Sequence, residues 1–68
     1  MLSFEISNNN SIQIYCDGDG LKSLIDALVQ TKEVGHIHLR SPSAGGKVLN
    51  DTTPWGNKAV SEVIVTLG

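Results

Sequence analysis

The chain has 68 residues, a formal net charge of −2 and a hydrophobic share of 40%, values typical of a globular protein rather than a disordered tail. This length predicts a single domain, residues 1–68, whose thin core argues against a deep pocket for a large cofactor, so we expect no cofactor. Acidic and basic residues are spread along the sequence without a basic block, which disfavours nucleic acid as a partner.

Cysteine content and the N-terminal residues bear on the cellular compartment. Cys16 is the only cysteine, so the chain can form neither an intramolecular disulfide nor a cysteine zinc cluster. A reducing cytoplasm suits such a chain best. The start lacks a basic region before an apolar core, and no apolar run approaches the roughly 20 residues of a membrane span. We therefore expect a cytoplasmic protein without a membrane partner.

Two short strands are predicted at the beginning of the chain. Apolar and polar residues alternate over residues 2–6 and again over residues 11–16, a period of two that indicates strands with one buried face. The connecting segment Ser7–Asn10 has the composition of a turn. We expect a hairpin in which Cys16 faces the core, which excludes Cys16 as a catalytic nucleophile.

An amphipathic helix is predicted after the hairpin, with Asp19 as its N-cap and an end near Glu33, just before Gly35. Apolar residues recur at spacings of three and four, as on one face of a helix. We expect this stripe to be buried against the apolar face of the strands. The stripe consists of Leu21, Leu24, Ile25, Leu28 and Val29. The apolar face of the strands comprises Phe4, Ile6, Ile12, Ile14, Ile37 and Leu39.

The segment Gly35–Arg40 reads Gly-His-Ile-His-Leu-Arg and combines a strand pattern with side chains capable of chemistry. The strand period sends the two aliphatic residues to one face and His36, His38 and Arg40 to the other. This strand therefore supplies the first candidate site residues.

The second half of the chain is predicted to contain two loops and a closing strand. Ser41–Gly46 is a loop, and residues 47–49 form either a short strand or an extended edge. Asn50–Asn57 is a second loop that contains Trp55. Residues 59–67 are rich in β-branched residues, which favours a strand, and their imperfect alternation indicates an interior or well-covered one.

These elements predict an α+β fold in the order β-β-α-β-β, with a single small sheet of about four strands and one helix packed on one face. The other face stays open. We expect it to bind a partner protein through Tyr15, His36, His38, Arg40 and Trp55, because Trp, Tyr and Arg are frequent at interfaces. Trp55 has an alternative role as a cover for the helix–sheet layer. No catalytic residue is assigned.

Metal binding is an alternative function. His36 and His38 lie two residues apart on one strand, so both rings could reach a common ion if a third ligand joined them. Glu5 and Glu62 are the strand carboxylates available for that purpose. A small metal-binding protein or metal-dependent enzyme using this histidine pair is the second hypothesis, and a homodimer formed through the sheet face or an edge strand is the third.

The Gly-His-Ile-His-Leu run, the loop with Gly45-Gly46 and the closing β-branched strand together resemble the Immunity protein 32 family of bacterial polymorphic toxin systems. The similarity spans residues 35–67, and the preceding helix is compatible in position. The resemblance implies a cytoplasmic, non-enzymatic α+β protein that protects its producer by binding and blocking a cognate toxin. It assigns no toxin-contacting residue, so the five site residues come from strand geometry and residue type.

Overall fold

Four strands and one long helix follow one another in the predicted order β-β-α-β-β, so the α+β class is confirmed. The structure is a computed structural model that describes all 68 residues. The elements are β1 Leu2–Ile6, β2 Ile12–Cys16, α1 Gly18–Val34, β3 His36–Arg40 and β4 Glu62–Thr66, with a 3-10 turn at Pro42–Ala44. No helix has the length and apolar character that crossing a bilayer requires.

The strands form two separate antiparallel pairs, β1–β2 and β3–β4, and the prediction of one sheet is wrong in this respect. The segment before β4 bonds to the outer edge of β1 at two points. The carbonyl of Leu2 accepts from the Asn50 N–H at 2.8 Å, and the carbonyl of Phe4 accepts from the Val60 N–H at 2.8 Å. Since β4 begins only at Glu62, these bonds do not continue as a ladder between the two pairs.

The closing strand and residues 47–49 differ from their predictions. β4 pairs with β3 alone, so it is not the interior strand expected from its β-branched content. Residues 47–49 form no strand. Instead the N–H groups of Val48 and Leu49 both donate to the carbonyl of Arg40, at 3.2 and 3.1 Å. The segment thereby closes over the end of β3, while Asn50–Asn57 is irregular as predicted.

The N-cap of the helix lies two residues earlier than predicted. Asp17 is the N-cap, because its side chain accepts from the Gly20 N–H at 2.8 Å, whereas Asp19 lies inside the first turn. Asp17 also accepts from the N-terminal ammonium of Met1 at 2.6 Å. At the other end Gly35 terminates the helix with a φ of 93°, as expected for a glycine beyond a C-terminus.

The helix packs through small residues rather than through its predicted stripe. Gly20, Ala27 and Thr31 are its buried positions, with Leu24 partly buried beside them. A Cβ at Gly20 would lie 1.7 Å from the Met1 carbonyl oxygen, so only glycine permits this close approach. The other members of the predicted stripe are exposed, and they are Leu21, Ile25, Leu28 and Val29.

The core is small and lies between α1, β1, β3 and the segment after the 3-10 turn. It consists of Leu2, Phe4, Ala27, Leu39 and Leu49. Three predicted members of the apolar strand face are exposed instead, namely Ile6, Ile12 and Ile14, and Cys16 is exposed as well. The reason is the position of α1, which packs mainly against β3 and leaves the apolar side of β2 uncovered.

Replacing Asp17 with Ala should lower the thermal unfolding midpoint by about 5 °C, because the cap of α1 is lost. Hydrogen bonds from the Met1 ammonium and the Gly20 N–H lower the pKa of Asp17. This contribution is therefore present above the unfolded-state pKa and disappears as pH falls through the lowered folded-state value. Asp19→Ala is the matched control and should shift the midpoint far less. Equal shifts for the two variants at pH 7 would contradict the cap assignment.

Candidate functional site

The side of the β3–β4 pair that points away from the core carries the two histidines and the arginine, as the strand period predicted. His38 lies opposite Ile64 in the antiparallel register, and Arg40 lies opposite Glu62. Leu39, one residue away, is buried in the core, so its neighbours must point outward. We call this surface the outer face, and it is formed by His36, His38, Arg40, Glu62, Ile64 and Thr66.

Glu62 organises one end of the outer face. The Nε–H of Arg40 donates to Oε2 of Glu62 at 2.5 Å, a charge-assisted bond. Nδ1 of His38 lies 3.2 Å from the same carboxylate oxygen and 3.4 Å from Nη2 of Arg40. The tautomer of His38 decides which of these two neighbours it bonds. The three side chains therefore form one hydrogen-bonded cluster across β3 and β4.

The cluster changes the titration of its carboxylate. The hydrogen bond from Arg40, followed by that from His38, holds the pKa of Glu62 below its usual range. A lowered folded-state pKa means that Glu62 stabilises the folded protein above its unfolded-state pKa, and this contribution is lost as pH falls through the folded value. Glu62 is thus ionised at neutral pH and compensates the charge of Arg40.

His36 lies beside His38, but the surroundings of the pair do not suit a metal ion. The ring centroids are 5.3 Å apart in an edge-to-face arrangement. No group of three or more His, Cys, Asp or Glu side chains is arranged to hold an ion. Glu62 is the carboxylate nearest the pair, and it is bonded to the guanidinium of Arg40. A metal at His38 would have to compete with this fixed positive charge.

Tyr15 lies in the other sheet, within a separate polar cluster. Its hydroxyl donates to Oε1 of Glu5 at 3.0 Å and also contacts Gln13. Burial, together with the hydrogen bond and charge of Glu5, raises the pKa of Tyr15, while the nearby Trp55 side chain opposes this effect. Tyr15 and Trp55 are therefore neighbours. Tyr15 was expected on the same sheet face as the two histidines, but it lies in the β1–β2 sheet and bonds there.

Trp55 is exposed over 76% of its surface, so its alternative role as a cover for the helix–sheet layer is wrong. It sits in a tight turn whose anchor is the buried Thr53. The Thr53 hydroxyl accepts from the N–H groups of Trp55 and Asn57 at 3.3 and 3.2 Å. Gly56 has a φ of 83°, which favours glycine at that point of the turn. The indole is thus presented to solvent by an ordered turn.

One apolar residue of the outer face was not among the predicted site residues. Ile64 occupies the centre of the face opposite His38 and is 53% exposed. Its position in an apolar run, Val63-Ile64-Val65, suggested burial. Pairing with β3 would have placed Ile64 on the outer face, because its partner His38 points outward and antiparallel partners lie on the same side of the sheet.

The helix side of β3 contains a small groove of about 240 Å³. Ser23, Asp26 and Gln30 of α1 form one wall, and Ile37 and Val48 contribute to the other. This volume is below the roughly 300–1,000 Å³ of ordinary small-molecule sites. His38 of the outer face also contributes to its lining, so the groove reaches the edge of β3.

Replacing Arg40 with Gln should raise the pKa of Glu62 toward its usual range, because Arg40 supplies the largest lowering effect. His38→Gln should raise it less. Carbon-detected NMR titration of the Glu62 carboxyl in the wild type and both variants measures the effect. Lys22→Gln, on the exposed side of α1, is the control and should leave this pKa unchanged. An unchanged value in Arg40→Gln would contradict the cluster.

Comparisons of the chain with protein-family models, with curated proteins and with solved structures gave no match. The similarity of residues 35–67 to the Immunity protein 32 family therefore stays a prediction. The function must be argued from the two side-chain clusters described above.

Proposed function

We propose that this protein is an immunity-type binding module that neutralises a cognate bacterial toxin by binding to it. In this proposal the protein acts in the cytoplasm, as an inhibitor rather than an enzyme. The outer face of the β3–β4 sheet, with Tyr15 on β2 and Trp55 in the turn beside it, is the toxin-binding surface. The proposal rests on the character of these side chains and on the resemblance of residues 35–67 to the immunity family.

The observation that carries the proposal is the fixed position of an exposed arginine. Arg40 is 47% exposed, yet its Nε–H is bonded to Glu62. Two strands position this ion pair, so little side-chain freedom remains to be lost on binding. The guanidinium has five N–H donors, and those not used by Glu62 and His38 remain available to acceptors of a partner. Ile64 and His36 add apolar and aromatic area beside it.

Trp55 supplies a second contact of the type that dominates protein interfaces. Trp, Tyr and Arg are enriched among residues whose truncation costs at least about 2 kcal/mol of binding energy. The turn anchored by Thr53 fixes the backbone of Trp55, and its indole lies near Tyr15. Because the backbone of the turn is already ordered, covering Trp55 costs little additional backbone entropy.

Replacement of His36, His38 and Arg40 together by Ala should weaken toxin binding by about 100-fold or more while the protein stays folded. The toxin is first identified by pull-down from a lysate of the source organism, with mass spectrometry of the bound proteins. Affinity is then measured with the purified pair, and protection is measured as growth rescue when both are co-expressed. Trp55→Ala should cause a loss of the same order.

The matched control is the triple variant Lys22→Ala, Lys32→Ala and Glu33→Ala. It changes three exposed helix residues and produces the same change in formal charge. It should retain affinity and protection. A folded outer-face variant that neutralises the toxin with full affinity would refute the assigned surface, and a wild-type protein that rescues no toxin would refute the function itself.

Metal binding is the second candidate, favoured by the side-by-side rings of His36 and His38. Under the immunity proposal, elemental analysis of the purified protein should find no stoichiometric zinc, nickel, copper, iron or manganese. Titration with zinc monitored by calorimetry should show no binding that the His36→Ala and His38→Ala variants abolish. One equivalent of metal, lost in both variants, would favour the histidine-pair hypothesis instead.

A further inference from the structure

β2 pairs only with β1, so its other edge is open. In the β1–β2 ladder, Gln13 and Tyr15 direct their backbone groups toward β1, so Ile12, Ile14 and Cys16 direct theirs outward. None of these outward groups has a backbone partner. The strand reads Ile-Gln-Ile-Tyr-Cys, without a charge, a proline or a bulge. Charges, prolines and bulges are the features by which proteins normally prevent an edge strand from pairing with another chain.

The edge of β3 differs in this respect. Its last carbonyl, that of Arg40, is already bonded by the N–H groups of Val48 and Leu49. Helix α1 overhangs the same edge, because Ser23 and Gln30 line a groove with Ile37. β2 has neither form of cover. The open edges of β2 and β4 both lack backbone partners, but β4 carries the charged Glu62, whereas β2 carries no charge.

An exposed apolar surface adjoins this bare edge. Ile12 and Ile14 of β2 are 66% and 50% exposed. On the helix, the flank containing Ser23 and Gln30 faces β3, so the opposite flank, at positions 21, 25 and 28, is turned toward β2. We call the combined surface the apolar shoulder, and it consists of Ile6, Ile12, Ile14, Leu21, Ile25 and Leu28.

The total surface of the chain is larger than that expected of a compact monomer of its mass. The protein exposes 4749 Å², whereas a compact monomer of 7.3 kDa is expected to expose about 4,200 Å². A standard interface buries about 800 Å² per partner. The excess surface is therefore of the same order as the area that one stable contact would remove from water.

We propose that the apolar shoulder binds a second copy of this chain, through antiparallel pairing of β2 with β2 of that copy. A two-fold axis at Ile14 places Ile14 opposite Ile14 of the second copy, and Ile12 opposite Cys16. All three have outward backbone groups, so this register satisfies them reciprocally. The two hairpins then form one four-stranded sheet, and the helix flanks of both copies converge over the paired β2 strands.

A second copy fits this surface because the surface is complementary to itself. Two-fold pairing brings each residue of β2 opposite a residue of the same strand, and any charge there would face a like charge or an apolar group. β2 carries no charge, so no such conflict arises. The dimer interface also leaves the outer face of β3–β4 free, since that face lies in the other sheet.

The test is the molecular mass in solution, measured by sedimentation between roughly 1 μM and 1 mM. The wild type should be a dimer over most of this range. Ile14→Lys places two ammonium groups at the axis and should weaken dimerisation by about tenfold or more, as should Ile25→Lys on the helix flank. Because both side chains are half exposed, the fold should persist, which circular dichroism checks.

Val34→Lys is the matched control. Val34 is 66% exposed, like Ile12, but lies at the helix end and outside the apolar shoulder. This variant should dimerise like the wild type. A monomeric wild type at 1 mM overturns the proposal, as does a dimer that Ile14→Lys leaves intact. A monomer whose toxin binding is lost in Ile14→Lys also overturns it and assigns the surface to the toxin.

Cross-linking tests the register. In a Cys16→Ser background, Ile14→Cys should form a disulfide-linked dimer rapidly on mild oxidation, because hydrogen-bonded antiparallel partners have Cα atoms about 5.5 Å apart. Asn9→Cys in the same background is exposed at the hairpin turn and should cross-link only slowly. Equal rates for the two variants would overturn the axis at Ile14.

Discussion

The close packing of α1 against the strands is the constraint on which the rest of the structure depends. The helix approaches through Gly20, Ala27 and Thr31, and at Gly20 there is no room for a side-chain carbon. This approach lets the helix cover Leu2 and Leu39 and complete a core from very few residues. It also rotates the larger apolar residues of the helix onto a flank, where nothing within the chain covers them. The position of one helix thus sets both the core and the exposed apolar shoulder.

The two sheets separate two kinds of surface. The outer face of β3–β4 is polar and organised by Glu62, which compensates Arg40 and fixes its direction. The apolar shoulder follows β2, the one strand without charges or cover on its open edge. The outer face lies in a different sheet from β2. Tyr15, the proposed toxin contact on β2, points to the side of its sheet opposite Ile14 and the apolar shoulder. A dimer formed through β2 would display two outer faces, each able to hold its own partner.

Local sequence predicted the elements well where one period or one special residue decides the conformation. The strand at 36–40 and the glycine that ends α1 are such cases. The cap was harder, because Asp17 and Asp19 are both suitable and only the contacts with Gly20 and Met1 distinguish them. For the site, alternation placed His38 and Arg40 on one face, but their bond to Glu62 depends on the register with a strand 22 residues away.

The sequence by itself determined the class of fold, the order of elements and the sidedness of β3, because helix and strand periods are local properties of the chain. Tertiary structure decided which apolar residues are buried. Periodicity cannot distinguish Leu24, which reaches the core, from Ile25 on the exposed flank, since both belong to the same apolar arc. Only the contact of small residues with the strands selects the face that packs, and that selection leaves β2 bare and Arg40 bonded to Glu62.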